Sequence, residues 1–346
     1  MTDPTPPAGV QRVRDLDETA LLAQIFPLLP RGAATLVGPG DDAAVVRAPD
    51  GRYVVSTDVL VEDRHFRRRW SSGYDVGWRA AVQNLADIAA MGARPTALVV
   101  ALVVPGDLPV DWVTGLARGL ADACAPSGAA VVGGDLSAGD SVVVSVTVHG
   151  DLDGREPVLR SGARAGDVVA HAGVCGRSAA GLALLDAGLE PATLAAGDGA
   201  LAALVGRYLR PVSPLGAGRV AADAGATAML DVSDGLLRDA GRLARASGVV
   251  LDLELGPGAA LAADVAGLLP AAATLGGAGG QDQARAWVLS GGEDHGLLAT
   301  FPGAGVPEEF RAIGRVLDAA DGRAPGTVTV DGAEPGIGPG WDHFAT

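Results

Sequence analysis

The sequence predicts an α/β fold of mixed α+β type in two domains, and three observations carry that prediction. The chain has 346 residues, about twice the length of an average domain. Short apolar runs with a period of two alternate along it with alanine-rich runs at helical spacing, as layered strands and helices require. A polar, glycine-containing stretch at residues 151–156 separates two such series, which places the domains at 1–150 and 151–346. With 48% hydrophobic residues and only 4% aromatics, the cores of both are aliphatic.

Residues 15–26 read as a helix, with acids at its start, Leu21, Leu22 and Ile25 as its apolar stripe, and Pro27 stopping it. The chemistry concentrates in residues 38–63. Gly38, Pro39 and Gly40 form a turn that sets Asp41 and Asp42 at the mouth of a short strand, 43–46. In a second strand, 53–61, alternation puts Tyr53, Val55, Thr57, Val59 and Val61 on one face and Val54, Ser56, Asp58 and Leu60 on the other. Ser56 and Asp58 look the same way about 7 Å apart, whereas Mg²⁺ holds its oxygens at about 2.1 Å, so the spacing suits two or more ions. Thr57 points away and would serve such ions through its carbonyl or across a bulge. Residues 64–70, Arg-His-Phe-Arg-Arg-Arg-Trp, form a basic aromatic loop in an otherwise acidic chain.

Residues 74–91 read as a helix with a buried stripe of Trp78, Val82, Leu85 and Ala89 and a capping Gly92. Gln83, Asn84 and Asp87 share its other face, which is either solvated or aims Asp87 at the preceding acids. A strand at 97–104, a helix at 112–125 and a strand at 129–132 follow. The last ends in Gly133, Gly134 and Asp135, where glycines beside an acid suit close approach to a ligand. A strand at 141–148 turns Val142, Val144, Val146 and Val148 to one face. In the second half, a strand at 167–172 leads through Gly173 and Gly176 into a helix at 178–187, a weak phosphate signal. Asp231 and Ser233 share a strand face, and Asp234 is placed to cap a helix at 236–246, a turn that also favours a phosphate. Residues 256–280 hold a short helix, and 287–290 a strand. Gly291, Gly292, Glu293, Asp294 and His295 then precede a strand at 296–301, and Trp341 lies in an aromatic cluster near the end.

Composition narrows the functions. A formal net charge of −15 and a pI near 4.6 argue against a nucleic-acid partner. All 26 basic residues are arginine, which excludes the P-loop lysine, the protein-kinase lysine and Schiff-base chemistry. Any phosphate must therefore meet metal ions, arginines or backbone amides. The longest uninterrupted apolar run, 97–104, has eight residues against the roughly 20 that cross a bilayer. The first eleven residues lack the basic-then-apolar pattern of a secretion signal, so a cytoplasmic location is expected. Cys124 and Cys175 stand apart, without metal or disulfide spacing, and read as buried thiols.

The acids recur at strand ends in both halves, beside Ser, Thr or Gly and not beside Arg. Two carboxylates about 4 Å apart repel by roughly 4 kcal/mol at an effective dielectric near 20, so the clusters call for bound cations. The five histidines lack zinc spacing, which leaves oxygen ligands, Mg²⁺ and phosphoryl transfer.

The runs GPGDDAAVV, STDVLVEDRHF, NLADIAAMGARP, GGD at Asp135, RSGA at Arg160, GRSAAGLALL, DVSDGLLRD, LSGGEDHGLL and GWDHF, in this order from Gly38 to the end, resemble the thiamine-monophosphate kinase family. That family lies in the aminoimidazole-ribonucleotide synthetase superfamily. The resemblance implies two α/β domains with mixed sheets flanked by helices. The first would bind metal and ATP and join a homodimer, and the second would complete the ATP and substrate site. It implies ATP-dependent, direct in-line phosphorylation of thiamine monophosphate to thiamine diphosphate. It places several Mg²⁺ ions on Asp42, Ser56, Thr57, Asp58, Asp87, Asp135, Asp231 and Asp234. It places ATP on Gly134, Asp135, Arg160 and Ser233, and the acceptor on His65, Glu293 and Trp341. Trp341 and His295 depart from the tyrosine or phenylalanine, and the tyrosine, common there. Superfamily members with a reactive cysteine near either end differ, since Cys124 and Cys175 lie near neither. A Mg²⁺-nucleotide binding protein without turnover is the alternative of another class.

Overall fold

The structure, a computed structural model, describes residues 10–39, 43–197, 199–276, 280–303, 305–319 and 323–341. The chain divides into two compact units, Met1–Asn84 with Pro95–Gly150, and Leu85–Arg94 with Asp151–Thr346.

The first unit opens with α1 (Glu18–Ile25), capped by the Asp17 carboxylate, which accepts from the Ala20 amide at 2.7 Å. A small ribbon of β1 (Thr35–Val37) and β2 (Val45–Val46) follows. Then come β3 (Val54–Val61), α2 (Gly73–Ala90), β4 (Arg94–Val104), α3 (Val110–Cys124), β5 (Ala130–Ala138) and β6 (Val143–Asp151). The four long strands lie in the order β3-β6-β4-β5, with β3 antiparallel to β6 and β4 parallel to β5. Strand alternation gives this sheet two unlike faces. Val144, Val146 and Val148 are buried on one, whereas Val55, Val59 and Val99 are 55%, 45% and 37% exposed on the other. α2 and α3 meet where Gly77 approaches Leu116 so closely that a Cβ would stand 2.0 Å from the Leu116 carbonyl oxygen.

The second unit holds β7 (Val168–Ala172), α4 (Arg177–Asp186), α5 (Pro191–Gly197), α6 (Gly199–Leu209), α7 (Leu215–Asp223), β8 (Ala228–Val232), α8 (Leu236–Ser247), β9 (Val250–Leu253), α9 (Ala260–Thr274), α10 (Gly280–Ser290), β10 (Gly296–Phe301), β11 (Arg311–Leu317) and β12 (Val328–Val330). Its sheet runs β12-β9-β11-β7-β10-β8, antiparallel except for the β9–β12 pair. The core beneath it gathers Ala170, Met229, Leu297 and Phe301 with Ala89 and Ala90 from the last turn of α2. Phe301 meets Phe310 edge-on at 5.3 Å between centroids. The mixed sheets and flanking helices are those of the predicted fold class.

Several local expectations change. Residues 287–290 end the helix α10 and are not a strand, because a short apolar run alone does not distinguish the two. α9 extends over 15 residues with Pro270 inside it, where a short helix was expected. Gln83 and Asn84 are buried, so that face of α2 is not solvated there, and the Asn84 side-chain amide donates to the Ala80 carbonyl at 2.8 Å. β5 does not stop at Val132 but continues through Gly133, Gly134 and Asp135.

Candidate active site

The best-defined constellation lies in the second unit, at the turn between β8 and α8. Val232 ends the β8–β10 ladder and Ser233 and Asp234 have left it, yet the backbone groups here are almost all engaged. The Val232 carbonyl accepts from the His295 amide at 3.0 Å, that of Ser233 from the Glu293 amide at 2.8 Å, and that of Asp234 from the Trp341 amide at 2.9 Å. On the other side the amides of Ser233 and Asp234 both donate, at 3.0 Å, to one carboxylate oxygen of Asp239. Asp231 is held by the β8–β10 ladder opposite Leu297. Asp231, Ser233, Asp234, Glu293 and Trp341, flagged far apart in sequence, thus converge here. Trp341 is 55% exposed.

The charges around the turn are coupled. Arg242 bridges the Asp234 carboxylate at 2.7 Å and the Asp239 carboxylate at 2.6 Å. Asp234 therefore does have an arginine partner, contrary to the expectation from composition. Asp234 is also not the helix cap, since the N-cap position is Gly235, without a side-chain hydrogen bond. His295 is buried, with Nδ1 3.9 Å from Asp231 and Nε2 3.8 Å from Glu293. Burial alone would lower the imidazole, but the two carboxylates outweigh it and push it up to about 10. Burial, reinforced by the charge of Asp231, pushes the Asp239 carboxyl up to about 7 despite its amide bonds and Arg242.

Both glycine-rich turns that read as phosphate cradles are closed from within. At α8 the donors go to Asp239. At α4 the amides of Gly176 and Ser178 donate to the buried Asp294 carboxylate at 2.5 and 2.9 Å. Neither helix start offers those amides to a phosphate, which shifts the burden to cations and side chains.

In the first unit the flagged residues occupy opposite edges of the sheet. Ser56, Thr57 and Asp58 lie on β3 and Gly134 and Asp135 on β5, three strand spacings or roughly 14 Å apart. The β3–β6 register is unbroken from Val54 to Val61, so no bulge turns Thr57 round. Its hydroxyl donates to the Val146 carbonyl at 2.9 Å. Gly134 is required by the neighbouring strand, since a Cβ there would stand 2.0 Å from the Val100 carbonyl oxygen. Asp135 accepts from the Ser137 hydroxyl at 3.3 Å. In the loop after β3, His65 Nδ1 accepts from the Val61 amide at 3.0 Å, which places the proton of a neutral ring on Nε2. Arg67 and Arg69 both stack on Trp70, 4.6 and 4.4 Å from its centroid.

Three flagged residues stand outside these groups. Asp42 lies outside the described residues. Asp87 is half-buried on the part of α2 that groups with the second unit. Arg160 is exposed, and its carbonyl accepts from Ser247 at 3.1 Å, at the far end of α8 from Asp234. Among the described residues, no three His, Cys, Asp or Glu side chains form a group able to hold a metal ion.

A family model for the N-terminal domain of AIR synthase related proteins matches residues 40–152. The chain is 49% identical to the thiamine-monophosphate kinase of Mycobacterium tuberculosis over 96% of its own length and 93% of that protein's. It belongs to the thiamine-monophosphate kinase family. A crystal structure of the Stenotrophomonas maltophilia thiamine-monophosphate kinase superimposes with a TM-score of 0.73 at 30% identity, over 91% of this chain and 96% of that one. A ThiL protein complexed with AMPPCP and TMP gives 0.70 at 30% identity, over 97% and 100%. For this member of the thiamine-monophosphate kinase family, sequence reasoning overlooked Asp239 and Arg242. Asp239 closes the quoted run DVSDGLLRD, but an acid in the first turn of a helix ordinarily only complements its dipole.

Proposed function

We propose that this chain transfers the γ-phosphoryl group of ATP to the phosphate of thiamine monophosphate, forming thiamine diphosphate in thiamine biosynthesis. An acceptor phosphate oxygen attacks the γ-phosphorus, the bond to the β,γ-bridging oxygen breaks, and ADP leaves. The observation that carries this reading is the β8–α8 turn, where Asp231, Ser233 and Asp234 are locked beside Glu293 and Trp341. It agrees with a relative that bears the kinase's name and a structural neighbour complexed with AMPPCP and TMP.

Mg²⁺ fits the donors. They are oxygens throughout, and even with Arg242 and protonated His295 in place, the acids Asp231, Asp234, Asp239 and Glu293 leave the turn negative. Asp42, Ser56, Thr57, Asp58, Asp87, Asp135, Asp231 and Asp234 would hold the ions, Thr57 through its carbonyl. When bound, the ions neutralise the triphosphate and the charge that develops on transfer. Gly134, Asp135, Arg160 and Ser233 would contact the nucleotide. His65, Glu293 and Trp341 would contact the acceptor, an indole suiting the cationic thiazolium. The open face of the first unit's sheet, with Val55, Val59 and Val99, supports a homodimer. No helix among the described residues is long and apolar enough to cross a membrane, and a cytoplasmic location is part of this proposal.

The test is product analysis with ATP, Mg²⁺ and either thiamine or thiamine monophosphate. The expected result is ADP and thiamine diphosphate with thiamine monophosphate alone. Phosphorylation of thiamine, or ADP release indifferent to acceptor, overturns the proposal.

A further inference from the structure

We propose that Asp239 and Arg242 are a positioning pair for the reaction, Asp239 fixing the backbone of the Ser233–Asp234 turn and Arg242 holding the Asp234 carboxylate in the place that a divalent cation takes over. The inference rests on the reading of Asp231 and Asp234 as Mg²⁺ ligands.

A helix start normally leaves its first amides to solvent or to an anion. Here the two amides ahead of α8 meet at one oxygen of Asp239, a side chain buried almost completely. With the Asp234 amide donating to Asp239 and its carbonyl accepting from Trp341, the peptide groups on both sides of its Cα are fixed. Only the side-chain torsions of Asp234 stay open, and Arg242 engages them through one carboxylate oxygen. Its other nitrogen is anchored on the second oxygen of Asp239, so the guanidinium spans two carboxylates that would otherwise repel. Arg242 is thereby a built-in counter-cation. Its side chain is 36% exposed, so it is able to swing aside without breaking a core. A cation that coordinates Asp234 must compete with Arg242 for that carboxylate, whereas Asp239 keeps the backbone in place through the exchange.

The pair therefore predicts effects of opposite sign. Arg242→Gln removes the competitor, so the free Mg²⁺ concentration at half-effect falls, by about two- to fivefold for a partly exposed ion pair. Asp239→Asn keeps a carbonyl oxygen for the two amides but releases Arg242 to Asp234 alone, so the midpoint rises by a similar factor. A residue that only supports the fold would shift both midpoints the same way or neither.

The measurement is a thermal-shift titration of the full-length protein with free Mg²⁺ at saturating AMPPCP, on wild type, Arg242→Gln, Asp239→Asn and Asp234→Asn. Opposite shifts of the first two variants, with the response of Asp234→Asn much reduced, establish the pair. Shifts in one direction, or none, with wild type responding, overturn it and leave the ligand reading standing. A wild type that does not respond, or an Asp234→Asn variant that responds as wild type does, removes the ligand reading and the inference together. Should Asp239→Asn fail to fold, Arg242→Gln decides alone, because an unchanged or raised midpoint overturns the pair.

Discussion

Asp294 lies between the glycines that follow α10 and β10, buried, and its carboxylate caps α4 by accepting from two amides. Burial raises its carboxyl to about 6, the amide bonds offsetting only part of that cost. Because the folded-state value lies above the unfolded one of about 3.9, the native protein keeps a proton between pH 4 and 6 that the unfolded chain has released. Its contribution to stability is then present below pH 4 and lost as pH rises through 6, by about 3 kcal/mol in all. Asp294→Asn should flatten this part of the profile, and chemical denaturation at pH 5 and 7.5 would show it as a smaller difference than in wild type. Trp341 bears on specificity. Loss of its face should weaken thiamine monophosphate binding roughly two- to thirtyfold. Trp341→Ala should therefore raise the KM for thiamine monophosphate and leave that for ATP nearly unchanged. A fall in melting temperature with both KM values shifting together would return Trp341 to a packing role. His65→Ala should behave similarly. Trp341 and Glu293 were legible because they sit in long motif runs. Arg242 was not, because the side chain it meets eight residues earlier becomes its neighbour only once Asp239 has folded the turn back.

At the scale of elements, β3 and β10 were readable within a residue or so, since strict alternation and glycine boundaries leave little choice. The strand expected at 287–290 failed for the opposite reason. Trp287, Val288 and Leu289 are consecutive and all buried, a pattern that a helix end packed on two sides shares with a buried strand. β9, β11 and β12 were missed because their pairing is non-local, and only the sheet order reveals it. The open face of the β3-β6-β4-β5 sheet carries the prediction for assembly. An arginine at Val59 would be buried there without a partner if a second copy covers the face, and breaking complementarity in that way costs several kcal/mol. Val59→Arg should weaken association by at least about thirtyfold. A dimer of unchanged affinity by analytical ultracentrifugation would show that this face is not the interface.

For the molecule as a whole, the absence of lysine and the charge of −15 leave arginines, backbone amides and divalent ions to meet a triphosphate, and the proposed function gives divalent ions the main share. Excess EDTA should therefore abolish turnover, and restored Mg²⁺ should recover it, whereas full ATP turnover in chelator would remove the metal from the mechanism. Leu85–Arg94 groups with the second unit, an exchange that no composition change announces. That exchange has a consequence for how the protein is made. A chain written as first unit, second unit, first unit, second unit brings Ala89 and Ala90 off the ribosome long before the strands they will pack against, β7, β8 and β10. The second unit cannot complete its core until the first is almost wholly synthesised, and a gene cut at codon 151 would yield a C-terminal fragment lacking part of its own interior.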